Sequence, residues 1–231
     1  MKDCDYRRHQ RLIDCVLKWR IPLLSSQLSA KLYDEAYYAE GNEWKVASCK
    51  KVAEVLNEFL GFYSVFDIGC GVGLYIEQLH RLGKEVLGCD ASAAAIGMAP
   101  MSISVFQADA TRPIKLNRRF DLVLCFEVAE HIQGRYSSQL VRNCVQQGDV
   151  VCFTAAPQGQ GGIGHINEQP YHFWIDLFRR QGLRYEDALS EQIRTRMKAE
   201  QVVSWIAENL MVFNSKASVA ADTTIPTRVR I

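Results

Sequence analysis

The chain has 231 residues, 48% of them apolar, and a formal net charge of +1. That suffices for one domain with a sizeable core and a small accessory element, and the near-zero charge supplies no overall field toward nucleic acid or acidic lipid. No run of about 18 apolar residues reads as a membrane span. The eight cysteines (Cys4, Cys15, Cys49, Cys70, Cys89, Cys125, Cys144, Cys152) lack the spacing of a metal site or disulfide framework. With no signal-peptide pattern at the start, the chain is expected in the reducing cytoplasm.

Residues 1–60 read as an N-terminal helical cap. Arg7–Trp19 mixes basic and apolar residues, Ala30–Ala39 carries Tyr33, Tyr37 and Tyr38, and Trp44–Leu60 has apolar residues at helical spacing. So weak a basic bias fits a solvated helix face better than a membrane or nucleic-acid surface. Next, the apolar run ending Val65-Phe66-Asp67-Ile68 meets Gly69, Gly71 and Gly73 before an amphipathic segment. This is a strand, a tight turn and a helix, with glycines where backbone and ligand meet closely. The third glycine stands four residues after the first. A dinucleotide fingerprint would need it at Leu74, and no Lys-Ser/Thr follows as in a P-loop.

Glu85–Asp90 is a second strand ending in an acid, placed to accept two adjacent ribose hydroxyls. Ser104–Ala110 is a third, with Asp109 at its end, and Phe120–Phe126 a fourth. Glu127-Val128-Ala129-Glu130-His131 then reads as helical, which would put Glu127, Glu130 and His131 on one face. Asp149–Thr154 is the fifth strand, and Gln158–Gly164 is too glycine-rich for regular structure. A helix over Pro170–Gln181 stops at Gly182. Residues 183–214 supply a strand, a helix around Glu191–Ser204 and a closing strand near Asn209–Phe213, and the tail 215–231 lacks periodicity. Alternating strands and helices over 64–155 require parallel pairing with right-handed crossovers.

The pattern Asp67-x-Gly69-x-Gly71-x-Gly73, with acids ending the next strands in order, resembles the first motif of class I S-adenosylmethionine (SAM) methyltransferases. The resemblance covers about residues 31–214. It implies an α/β Rossmann-like fold: a mostly parallel seven-stranded sheet with an antiparallel last strand and helices on both faces, its core over 61–214. It implies SAM as cofactor. Asp67, Gly69, Cys70, Gly71 and Gly73 would hold its amino-acid end, Asp90 and Ala91 the ribose, and Asp109 and Ala110 the adenine, with Glu127 nearby. The segment Tyr33–Tyr38 resembles the helix that covers the cofactor in many small methyltransferases.

Acceptor chemistry belongs at the C-terminal ends of the strands, where the crevice of an open parallel sheet lies. Two segments converge there, Glu127–His131 and Gly164–His172. His131 and His165 are the natural bases, since imidazole titrates near neutrality, and Glu130 joins them as a catalytic candidate. Phe126-Glu127-Val128-Ala129 stands where methylases of base amines carry Asn/Asp-Pro-Pro-aromatic. His165–Phe178 resembles uncharacterised methyltransferases found with polysaccharide or natural-product genes. The expected reaction is O-methylation of a small hydroxylated metabolite or sugar, without metal, membrane or nucleic acid, with residues 158–169 as a lid. Glu127, Glu130, His131 and His165 also resemble the ligand set of metal-dependent small-RNA ribose methyltransferases. A catalytically silent SAM-binding interaction module is a further alternative, and a nucleotide-dependent reductase is disfavoured by the glycine spacing.

Overall fold

The computed structural model describes residues 43–215. Most of the expected N-terminal cap, including Tyr33–Tyr38, and nearly all of the expected tail lie outside the described residues. The elements in order are α1 (Glu43–Phe59), β1 (Ser64–Ile68), α2 (Leu74–Arg81), β2 (Glu85–Asp90), α3 (Ala93–Met98) and β3 (Ser104–Gln107). Then come β4 (Phe120–Cys125), α4 (Ser137–Gln147), β5 (Gly148–Phe153), α5 (Tyr171–Arg180), β6 (Arg184–Tyr185), α6 (Asp187–Ala199), α7 (Ser204–Asn209) and β7 (Met211–Asn214).

The strands form one seven-stranded sheet in the order β3-β2-β1-β4-β5-β7-β6. All pairs from β3 to β5 are parallel, and β7 runs antiparallel to both β5 and β6. The order reverses at β1, so the C-terminal ends of β1 and β4 frame the crevice where such sheets bind ligands.

Side chains alternate across the sheet. Phe66, Ile68, Val123, Cys125, Val151 and Phe153 pack with Leu140 and Val141 of α4 and Trp174 and Phe178 of α5. Val65, Leu122, Leu124, Cys152 and Val212 pack with Val52 and Leu56 of α1, Ile193 and Met197 of α6, and Ile206 of α7. Strands covered on both faces read as nearly continuous apolar runs, and β4 and β5 do.

Three expectations are corrected. The helix expected over Glu191–Ser204 is two, α6 and α7, because Gln201 adopts a left-handed φ of 58° and turns the chain. The third strand ends at Gln107, since Asp109 closes an Asx turn onto the Thr111 amide and hydroxyl at 2.9 and 2.7 Å. Glu127–His131 is no helix face: Glu127 has a left-handed φ of 56°, and only Ala129–His131 forms a single 3₁₀ turn. The Glu127 amide donates to Thr154 Oγ1 at 2.9 Å, so a tertiary contact fixes this bend. Helix α5 forms as expected, with Pro170 as its cap and the Gly182 amide bonded to the Arg179 carbonyl at 3.0 Å.

Candidate active site

The first half of the site is the turn between β1 and α2. Gly69, Gly71 and Gly73 have φ values of 78°, 55° and 84°, which favour glycine. The amides of Gly69 and Cys70 both donate to the Cys89 carbonyl, at 2.7 and 3.0 Å, which ties the turn to β2. A Cβ at Gly69 would lie 2.2 Å from Val128 Cγ2, so the turn sits directly against the segment after β4.

Asp90 holds the far side of this turn. Its Oδ2 accepts the Gly71 amide at 2.9 Å and its Oδ1 the Ser92 amide at 2.8 Å. Each oxygen retains acceptor capacity for a further donor. Burial raises the Asp90 carboxyl, while the amides of Ser92, Gly71 and Ala91 work against that rise. Asp67 is only 2% exposed, and its Oδ2 has no hydrogen-bond partner. Burial, helped by the Asp90 charge, pushes it up to about 8. The Ala108 amide donates to the Asp90 carbonyl at 2.9 Å, which carries Asp109 and Ala110 past the same strand end. The Gln107 side chain donates to the Ala91 carbonyl at 3.0 Å. The buried Cys70 side chain packs with Ile76 and Ile103 beneath the turn, and its Sγ donates to the Gly71 carbonyl at 3.4 Å.

The second half lies beyond β4 and β5. Glu130 is fully buried, and neither carboxylate oxygen makes a well-formed hydrogen bond, although Glu127 and the backbone amides of Glu130 and Ala156 are near. Burial raises both Glu127 and Glu130, and for Glu130 the charge of Glu127 adds to the rise. Together they retain a proton that separated acids would lose. His131 Nδ1 lies 3.2 Å from the Gly164 carbonyl, which can only accept, so Nδ1 carries the proton and Nε2 the lone pair. Burial and neighbouring His165 push His131 down to about 4, despite the Gly164 bond.

His165 Nδ1 lies 3.0 Å from Glu168 Oε1, which fixes the same tautomer. The two imidazoles meet edge to face, with centroids 5.0 Å apart. The Glu130 carbonyl brings the segments together by accepting the amides of Ile166 and Asn167 at 2.8 and 3.1 Å. Asn167, 4% exposed, adds side-chain bonds to the Ala129 carbonyl and Ser137 Oγ at 3.0 and 3.1 Å. One ligand atom each from Glu130, His131 and His165 lies within 4.8 Å of the others, spacing that could hold a divalent ion. Glu127, expected in that set, is not part of this grouping.

Sequence reasoning missed three contributors. Tyr75 packs edge-on against Phe126 at 5.2 Å, and its hydroxyl is raised by burial and by the nearby Cys49, Glu127 and Asp67. Asn167 and Glu168 were legible only as a polar run, because their partners lie elsewhere in the fold.

Residues 66–150 match a family model described as a methyltransferase domain. Over this segment the chain is similar to methyltransferases. Its sequence is 36% identical over 94 residues to a ubiquinone biosynthesis O-methyltransferase from Bradyrhizobium diazoefficiens. That match spans 37% of this chain and 37% of its relative. Magnesium protoporphyrin IX methyltransferase from Synechocystis, solved with SAM bound, shares the fold at TM-score 0.57 and 16% identity, over 71% of this chain and 88% of that one. An amino pentose methyltransferase from Micromonospora echinaspora, also SAM-bound, superposes at TM-score 0.57 and 14% identity, over 78% and 95%. The matched segment runs from β1 into β5 and contains the glycine turn and His131, while His165 lies beyond it.

The polar atoms at these strand ends suit a ligand such as SAM. Asp67 offers a buried carboxylate oxygen without a donor, Asp90 has acceptor capacity for a diol, and the left-handed turn keeps side chains out of the space between them.

Proposed function

We propose that this protein is a SAM-dependent O-methyltransferase acting on a small hydroxylated metabolite or sugar. The observation that carries this reading is the pairing of an acid-and-glycine turn that has an unpartnered Asp67 oxygen with two imidazoles across the same crevice. The O-methyltransferase relatives and sugar-directed structural neighbours support it. When bound, SAM supplies a methyl group already activated on a sulfonium. Asp67 would accept from its ammonium, Asp90 from its ribose hydroxyls, and Asp109 with Ala110 would face the adenine. His165, oriented by Glu168, would take the acceptor proton at Nε2, and His131 would orient the hydroxyl as a neutral imidazole. Removing a base of this kind typically costs about 10²–10⁴ in rate.

Among the described residues no helix is long and apolar enough to cross a membrane. We place the protein in the cytoplasm, a reading supported by the six buried free cysteines there. The convergence of Glu130, His131 and His165 supports one further reading, in which a divalent ion holds the acceptor oxygen.

The test is transfer of labelled methyl from SAM to pooled phenols, sugars, nucleotides and short RNA, with and without chelator. Labelling of a phenol or sugar that persists in chelator supports base catalysis. Loss in chelator with rescue by magnesium, manganese or cobalt supports the metal reading, and labelling confined to RNA contradicts the small-molecule assignment.

A further inference from the structure

Glu168 does two things with one carboxylate. Its Oε1 meets His165 Nδ1 at 3.0 Å and the Gly161 amide at 2.6 Å, while its Oε2 takes the Gly159 amide at 2.8 Å. Burial raises this carboxyl, but the bonds from His165, Gly159 and Gly161 outweigh it and hold the group below the usual carboxylate range. The glycine loop it grips lies on the histidine: a Cβ at Gly162 would stand 2.3 Å from His165 Nε2. The loop is also tethered where Asn209 Nδ2 donates to Gln160 Oε1 at 2.8 Å, and its end carries the Gly164 carbonyl that binds His131. The base proposed above is thus fixed at one nitrogen and covered at the other by a single connected segment.

We propose that Glu168 is a positioning residue that couples the glycine loop to His165. It selects the Nδ1–H tautomer, leaving Nε2 as the proton acceptor. Through Gly159 and Gly161 it also holds the loop with Gly162 over that nitrogen. The acceptor must therefore displace the loop to reach the lone pair, and the carboxylate keeps the ring oriented while it does so. Because one group serves both partners, the two bonds are thermodynamically linked, and loss of either weakens the other. The catalytic sense of this coupling rests on the reading of His165 as base; the coupling itself is testable without turnover.

The experiment is histidine ¹⁵N NMR with amide hydrogen exchange on the full chain, with no acceptor present. Wild type should show His165 as the Nδ1–H tautomer and protected amides at Gly159 and Gly161. In Glu168→Gln the ring should gain Nε2–H form, because a single amide oxygen cannot serve all three donors. Both glycine amides should exchange at least about tenfold faster, the equilibrium worth of one bond to a charged acceptor. Gly162→Ala is the second variant: its methyl must push the loop off the ring, so the amides should exchange faster, while the Nδ1–H tautomer, still held by the carboxylate, should lose less population than in Glu168→Gln. A wild-type His165 in the Nε2–H form overturns the proposal whatever the variants do, as does a Glu168→Gln protein with unchanged tautomer and exchange. If His165→Ala retains full turnover, the base assignment fails while the coupling result stands on its own readout.

Discussion

Asp90 Oδ2 accepts the Gly71 amide at 2.9 Å, so the acid ending β2 braces the turn ending β1. One carboxylate both shapes the glycine turn and faces the space beside it. Asp90→Ala should weaken SAM binding by about 1.5–3 kcal/mol, the worth of a charge-assisted hydrogen bond, with the fold retained. Calorimetric affinity and far-ultraviolet dichroism of the variant check both halves of that statement, and wild-type affinity would remove Asp90 from the site.

Asp67 links ligand binding to pH. Its folded carboxyl titrates near 8 against an ordinary 3.8, so the folded state holds a proton that the unfolded state has lost. By the sign of the linkage, this group's contribution to stability is full below pH about 4 and fades as pH rises toward about 8. An ammonium ligand needs the ionised form, so binding should release a proton, and affinity should climb up to about tenfold per pH unit below that value. Titrations in buffers of different ionisation enthalpy measure the release. Asp67→Asn should abolish that part of the pH dependence while leaving the ligand's own titration.

His131 acts in the opposite direction. Its pKa is depressed from 6.5 to about 4, so its contribution is full above pH 6.5 and is lost as pH falls toward 4. The loss is on the order of 3 kcal/mol across that window. Urea unfolding at several pH values should show a shallower slope below pH 6.5 in His131→Gln than in wild type; identical slopes would contradict a buried neutral imidazole.

Gly69 is sterically committed. A methyl there meets Val128 Cγ2 at 2.2 Å and forces a φ of 78° on a side-chain-bearing residue. Gly69→Ala should cost about 2–4 kcal/mol from overpacking and left-handed backbone together. Adding Val128→Ala should recover the overpacking part alone, so a full rescue in denaturant unfolding would show that the backbone conformation carries no strain.

The fold was legible because the parallel strands are short apolar runs, two of them marked at the end by glycine or acid, as in Val65–Gly69 and Glu85–Asp90. The candidate residues of the donor side were read from the same signals, since they are adjacent in sequence to strand ends. His131, His165 and Glu130, expected together, do lie together, but their local conformation was not legible. Glu127 has helix-compatible neighbours, yet Thr154 on the next strand captures its amide and bends the chain, a contact between residues that local spacing does not relate. Gln201 breaks the last long helix without glycine or proline to mark the place. Glu168 was one acid in a polar run, and its importance depends on Gly159 and Gly161, whose positions the glycine-rich sequence leaves open.

The most direct measurement of the central claim is calorimetric titration of the full chain with SAM, with its demethylated product and with NAD. The account predicts saturable one-to-one binding of SAM and of the demethylated product, and none of NAD. Binding of NAD, or no binding of either SAM or its product by the folded protein, would contradict it.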